Sequence, residues 1–296
     1  NERPVRFAGV WVATTMPFRS DGSVDFDRYA EHCRWLVDQG VDGVVPNGSL
    51  GEYETLTPEE RARAVDTAVA AVGAQAVVPG VSGRSATEAR GWVDQAARAG
   101  VSAVMCLPPT SHAPGADEVV AHFAEVARGG LPIIAYNNPF STRVDLVPAL
   151  LARTAEEVDG VVAVKEFSQD VRRVAHLAER APRLEVLCGC DDTFVESMLM
   201  GATGWIAGLV NALPSQSVEL YRRCAAGEWD RAVALYRRML PILRYDAQPR
   251  FVQAIKLAQD EAGRYGGPVR LPRLPLPPEE AEAVRGATRD ALGAKG

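Results

Sequence analysis

The 296-residue chain has no long apolar run, no cluster of basic residues and no regular pattern of cysteine or histidine. Its longest apolar stretches fall far short of the roughly 20 residues that a membrane span needs. Asn1-Glu2-Arg3-Pro4 lacks the apolar core of a secretion signal. Five cysteines are too few for a disulfide framework, and the odd count suits reduced thiols in a cytosol. Cys188-Gly189-Cys190 does not have the spacing of a zinc or redox pair. His32, His112, His122 and His176 are scattered without metal-ligand spacing. A formal net charge of −6, with no Lys or Arg run, argues against a nucleic-acid or anionic-membrane partner. Together these absences predict a soluble, metal-free, cytoplasmic protein.

A hydrophobic fraction of 47% against 24% charged residues is ample for a sizeable core. Short apolar runs alternate with helical periodicity along the chain: Phe7–Thr15, Gly43–Pro46, Ala76–Val81, Ala103–Leu107, Pro132–Tyr136, Val161–Val164, Leu184–Cys188 and Trp205–Val210. Most are rich in Val and Ile and do not alternate apolar with polar, as expected of parallel strands covered on both faces. Between the first two runs, Phe26, Tyr29, Ala30, Cys33, Leu36 and Val37 share one helical face. Thr57-Pro58-Glu59-Glu60 reads as a capping box with proline at the first helical position, and Ser85-Ala86-Thr87-Glu88 repeats its logic. Gly40, Gly100 and Gly130 stand where left-handed helix ends suit glycine.

A strand followed by a helix, eight times over, predicts a closed α/β barrel of the (β/α)8 type, a TIM barrel. The rival, an open doubly wound sheet, would want a Gly-rich turn after the first strand, and Val12–Phe18 contains no glycine. After Val210 only helices follow, at about Pro214–Ala226, Glu228–Leu240, Pro249–Ala262 and Pro278–Leu292, with the Pro-rich stretch Gly266–Pro278 as a connector. The expected organisation is therefore a barrel over 1–212 and a C-terminal helical appendage over 213–296.

In such a barrel the active site lies at the C-terminal ends of the strands. Lys165, which follows Val161–Val164, is the first candidate there. Burial disfavours the charged form of an amine, and only the free base attacks a carbonyl. The alternative is a lysine that snorkels outward or pairs with a carboxylate. Tyr136 ends the neighbouring strand and could pass a proton beside Lys165, or could simply face the interior. Gly48-Ser49-Leu50-Gly51-Glu52 opens a helix with a turn that exposes N–H groups to an anion, and without Lys or Arg inside it a carboxylate fits better than a phosphate. An ordinary strand-to-helix turn is the plainer reading. Asp191 and Asp192 could be a catalytic pair, but before the helix Thr193–Met200 a cap is the plainer reading, and Asn137 and Asn138 read as turn formers before Pro139.

Taken together, the chain resembles the dihydrodipicolinate synthase / N-acetylneuraminate lyase family of Schiff-base lyases over nearly its whole length. The likeness rests on Gly48-Ser49-Leu50-Gly51-Glu52, Tyr136-Asn137-Asn138-Pro139 and Val164-Lys165-Glu166, and extends to Gly189-Cys190-Asp191-Asp192 and Gly204-Trp205-Ile206. The resemblance implies a barrel assembled as a homotetramer of tight dimers. It implies a Lys165 imine with a 2-oxo acid or cyclic imine, Tyr136 as proton shuttle, a substrate carboxylate held by Gly48, Ser49 and Leu50, and the backbone of Ile206 lining the pocket. No added cofactor is implied, because a protonated imine is itself an electron sink.

Three positions depart from the synthase pattern. Leu50 replaces a threonine, Pro108-Pro109-Thr110-Ser111 lacks the tyrosine of the proton relay, and Ser141 stands where an arginine grips the second substrate. These changes, with Gly189–Pro214 and Ile255–Leu276, resemble the branch of 1-pyrroline-4-hydroxy-2-carboxylate deaminases. The expected reaction is dehydration and deamination of such a hydroxylated substrate. The alternatives are dihydrodipicolinate synthase, a 2-keto-3-deoxy sugar acid aldolase or dehydratase, a non-catalytic 2-oxo acid-binding barrel, and a phosphate-handling barrel using Gly201, Gly204 and Gly208.

Overall fold

The computed structural model describes residues 7–293; Asn1–Pro4 and the outer ends of the two expected units lie outside the described residues. Seven parallel strands form one sheet: β1 (Gly9–Ala13), β2 (Gly43–Val45), β3 (Val104–Cys106), β4 (Ile133–Asn137), β5 (Val161–Glu166), β6 (Glu185–Cys188) and β7 (Gly204–Ala207), in the order β2-β1-β7-β6-β5-β4-β3. The expected third strand closes the ring. Val77 bridges to Val44 and Gly80 to Met105, both in parallel. Val78 N–H donates to Val44 O at 3.0 Å and Met105 N–H to Pro79 O at 3.0 Å. Pro79 has no N–H, so this segment makes isolated bridges rather than a continuous ladder. The fold is the expected (β/α)8 barrel, and almost every strand residue is buried because helices cover the outer face.

Helices follow the strands in turn: α1 (Phe26–Asp38), α2 (Pro58–Val72), α3 (Ala86–Arg98), α4 (Ala116–Ala127), α5 (Pro148–Glu157), α6 (Arg172–Arg180), α7 (Phe194–Leu199) and α8 (Pro214–Ala225), which packs on β1. In α1 the buried residues Tyr29, His32, Cys33 and Leu36 keep the expected period, and Asp25 caps the helix by accepting Arg28 N–H at 3.1 Å. The box at Thr57 is complete, Glu60 N–H to Thr57 Oγ at 3.1 Å and Thr57 N–H to a Glu60 carboxylate oxygen at 3.0 Å. That at Ser85 is only half made. Ser85 accepts Glu88 N–H at 3.2 Å, but the Glu88 carboxylate turns to Arg84 N–H at 2.8 Å. Gly40, Gly100 and Gly130 all take positive φ, 102°, 85° and 81°.

Three further helices complete the chain: α9 (Trp229–Leu243), α10 (Phe251–Glu261) and α11 (Pro278–Leu292). α9 runs through Pro241, past the stop expected at Leu240. Pro241 and Arg237, whose carbonyl loses its partner, are both exposed, so water can take up that acceptor. The C-terminal segment is locked onto the turn after β2. Lys256 Nζ donates to Glu52 at 3.0 Å and to Pro268 O at 2.7 Å, Arg270 N–H donates to the other Glu52 oxygen at 3.0 Å, and the Arg270 guanidinium grips Glu60 at 2.6 and 2.7 Å. Glu52 and Lys256 are almost fully buried, so each charge depends on the other. Among the described residues, no helix is long and apolar enough to cross a membrane.

Candidate active site

Tyr136 on β4 and Lys165 on β5 are partners in the parallel ladder, as the expected adjacency of their strand ends requires. Lys165 is 6% exposed and its Nζ lies 4.2 Å from the centre of the Tyr136 ring. Among the described residues the amine has no carboxylate or hydrogen-bonding partner, so the snorkelling and ion-paired alternatives do not apply. Its stem rests against Gly189, where a Cβ would come within 2.9 Å of Lys165 Cγ and 2.9 Å of Glu166 O. Only glycine leaves the lysine its place. The Tyr136 hydroxyl accepts from Asn138 Nδ2 at 3.1 Å.

The two asparagines divide their work. Asn138 forms the turn, its side-chain oxygen accepting Phe140 N–H and Ser141 N–H at 3.2 Å each. Asn137 is no turn former. It donates to the buried Glu166 at 2.7 Å and accepts Leu146 N–H at 2.9 Å, tying β4 to β5. Burial pushes the Glu166 carboxyl up, against the hydrogen bonds from Asn137 and Ser168 that pull it down.

These side chains open on a cavity of about 340 Å³, and Gly48, Ser49, Leu50, Tyr136, Lys165 and Ile206 all line it. Ser49–Gly51 forms a 3₁₀ turn whose internal bond runs from Gly51 N–H to Gly48 O at 3.0 Å. The N–H groups of Ser49 and Leu50 precede that bond and so have no partner within the turn. Ser141 also lines the cavity. Thr110 does not, since its hydroxyl donates to Gly83 O at 3.3 Å, and Arg143 is exposed elsewhere. Lys165 is the one basic side chain among the described lining residues.

One wall comes from the segment joining α9 to α10, with Asp246 and Gln248, and from Phe251 at the start of α10. None of these stood out in the sequence, because the segment falls beyond the barrel and only the closure of the C-terminal helices over the strand ends brings it to the site. Asp246 meets Asp191, which accepts Trp205 Nε1–H at 3.1 Å, Leu209 N–H at 2.7 Å and Gly208 N–H. Asp191 therefore caps the turn after β7, not the helix that follows it in sequence. Burial pushes both carboxyls up, and the charge of Asp191 raises Asp246 further. Three N–H donors favour the anion on Asp191 and only one on Asp246, so Asp246 is the more strongly raised of the two.

Residues 6–291 match the model of the dihydrodipicolinate synthetase family. The chain belongs to this family. Its members are class I lyases, which work through a lysine Schiff base on small pyruvate-type substrates. The chain is 34% identical over 288 residues to a 4-hydroxy-tetrahydrodipicolinate synthase of Symbiobacterium thermophilum, covering 96% of this chain and 98% of that protein. It is 33% identical to the synthase of the same name from Methanothrix thermoacetophila, over 94% and 95% of the two chains. Among solved structures, the dihydrodipicolinate synthase of Aquifex aeolicus superposes with a TM-score of 0.91 at 27% identity, covering 97% and 99%. That of Thermotoga maritima gives 0.92 at 25% identity, covering 97% and 99%.

Proposed function

We propose that Lys165 forms an imine with the 2-oxo group of a small acid such as pyruvate. The observation that carries this reading is the unpaired, buried amine set in register with Tyr136 at the floor of the cavity. In this reading the N–H groups of Ser49 and Leu50 and the Ser49 hydroxyl hold the substrate carboxylate, beside Gly48 and the backbone of Ile206. Tyr136, steadied by Asn138, moves the proton on the carbon next to the imine. Borohydride reduction in the presence of pyruvate should add the mass of the reduced adduct to the peptide containing Lys165. A protein that gains no mass defeats the reading.

The shared name of the relatives supports the synthase reaction, in which the pyruvate imine condenses with a second, carboxylate-bearing substrate. We place this reading first. One observation favours a second reading, deamination of 1-pyrroline-4-hydroxy-2-carboxylate. With Ser141 in the cavity, Leu50 in the turn and Arg143 outside, no second cation among the described lining residues waits for another carboxylate. Side-by-side assays separate the two: condensation of pyruvate with aspartate semialdehyde against ammonia release from the cyclic imine. Product in the first alone establishes the synthase; ammonia alone establishes the deaminase. By family resemblance we also propose a homotetramer, to be checked by sedimentation. The five buried free thiols suit the proposed cytoplasmic setting.

A further inference from the structure

Asp246 stands on the far side of Lys165 from Tyr136. Its carboxyl lies over Gly208, at the end of β7, where a Cβ would come within 2.6 Å of Oδ1. Tyr136 is on β4, and in the sheet order β7-β6-β5-β4 the strand of Lys165 lies between them. Asp246 Oδ2 accepts Asp191 N–H at 3.0 Å. Among the described residues Oδ1 has no hydrogen-bonding partner, and Asp246 lines the cavity with Lys165. The wall residue is thus half tethered, with one carboxyl oxygen left without a hydrogen-bonding partner.

We propose that Asp246 is a second acid of the site, donating the proton with which the 2-oxo oxygen leaves as water when Lys165 forms its imine. The proposal rests on the imine reading above. The amine nitrogen first bonds to the carbonyl carbon, and its proton passes to the oxygen, giving a neutral carbinolamine. The C–O bond then breaks with its electron pair, which takes the Asp246 proton to form water. The nitrogen lone pair closes the C=N bond. A protonated imine and an Asp246 carboxylate remain, so charge is conserved and the new cation gains a counter-ion. Imine hydrolysis returns the proton from the attacking water to Asp246. Tyr136, on the other flank, is left for the proton at the neighbouring carbon.

The groups that face Asp246 agree with this role. Cys190, Asp191 and Asp192 approach from the turn after β6, and Lys165 from β5. Ile206–Gly208, after β7, carry no titratable side chain, and Arg250 turns away to Glu280. Burial and the Asp191 anion favour the protonated form of Asp246, while the Lys165 charge works the other way.

The test is the rate at which the wild type and Asp246→Asn exchange the 2-oxo oxygen of pyruvate with ¹⁸O-labelled water, alongside borohydride trapping. Asn has the shape of the protonated acid and can still accept Asp191 N–H. The expected result is exchange slowed on the order of 10²-fold in Asp246→Asn, with the Lys165 adduct still formed on long incubation. The wild-type rate should fall on the alkaline side of its pH profile, and the variant should lack that limb, which a merely structural role would not remove. Exchange at the wild-type rate in the variant overturns the proposal and leaves the imine reading intact. No adduct in the wild type overturns both. Should Asp246→Asn not fold, the wild-type profile decides: an alkaline fall supports the role, and a rate that only climbs with pH overturns it.

Discussion

At the scale of single residues, the proposed chemistry rests on one amine and two acids, each open to substitution. Lys165→Met should abolish borohydride trapping and turnover while leaving the fold intact, measured by mass spectrometry and circular dichroism. Tyr136→Phe should lower kcat by about 10²–10⁴-fold yet still trap pyruvate on Lys165, since the phenol is assigned to the step after imine formation. Proton linkage gives a separate check on Asp246. A carboxyl raised by the fold contributes stability that is lost as pH rises above its ordinary range. Burial holds the His32 and His122 imidazoles down at about 4, so their contribution is present above about 6.5 and is lost as pH falls from there toward about 4. Between these limits the two kinds of group oppose each other. Asp246→Asn removes the carboxyl's share. Without it, the variant should lose stability more steeply than the wild type as pH falls below 6.5. Urea unfolding across that range measures the difference, and parallel curves would refute it. Lys165 and Tyr136 were legible from sequence because each ends an apolar run. Asp246 was not, because nothing around it in sequence marks it, and its neighbours Asp191 and Lys165 are remote along the chain.

At the scale of elements, short turns set the geometry. In Gly189→Ala the new Cβ would press on Lys165 Cγ and Glu166 O, both at 2.9 Å. The backbone oxygen cannot yield as a flexible side chain can, so the lysine must shift. A displacement of about 1 Å can cost on the order of 10²-fold, and the loss should appear in the rate of pyruvate trapping with secondary structure unchanged. The turn after β2 is held from the opposite direction, by the Lys256–Glu52 pair. Lys256→Met takes from the buried Glu52 its direct ion-pair partner and leaves only the more distant Arg273 at 3.9 Å, and should destabilise the protein by up to about 3–5 kcal/mol, seen as a lowered urea midpoint. A helix start was readable where local chemistry decides it, as at Thr57. Starts were misread where a side chain had a choice of partners: Glu88 preferred the Arg84 N–H, and Asp191 reached across to the turn after β7.

At the scale of the whole molecule, the barrel was legible because covering a parallel sheet on both faces forces an apolar strand and a helix to alternate, and that demand is written into composition run by run. Closure was less so, since Pro79 reduces the third strand to two bridges, Val77 to Val44 and Gly80 to Met105. By itself the sequence determined the barrel, the strand ends that bear Lys165 and Tyr136, and the family, because these follow from local periodicity and short motifs. Only the tertiary structure decided that the segment between α9 and α10 forms a wall of the cavity and that Asp246 meets Asp191 there. Those relations arise from contacts between residues far apart in the chain, and their energies exist only once the C-terminal helices have closed over the barrel and excluded water from the site.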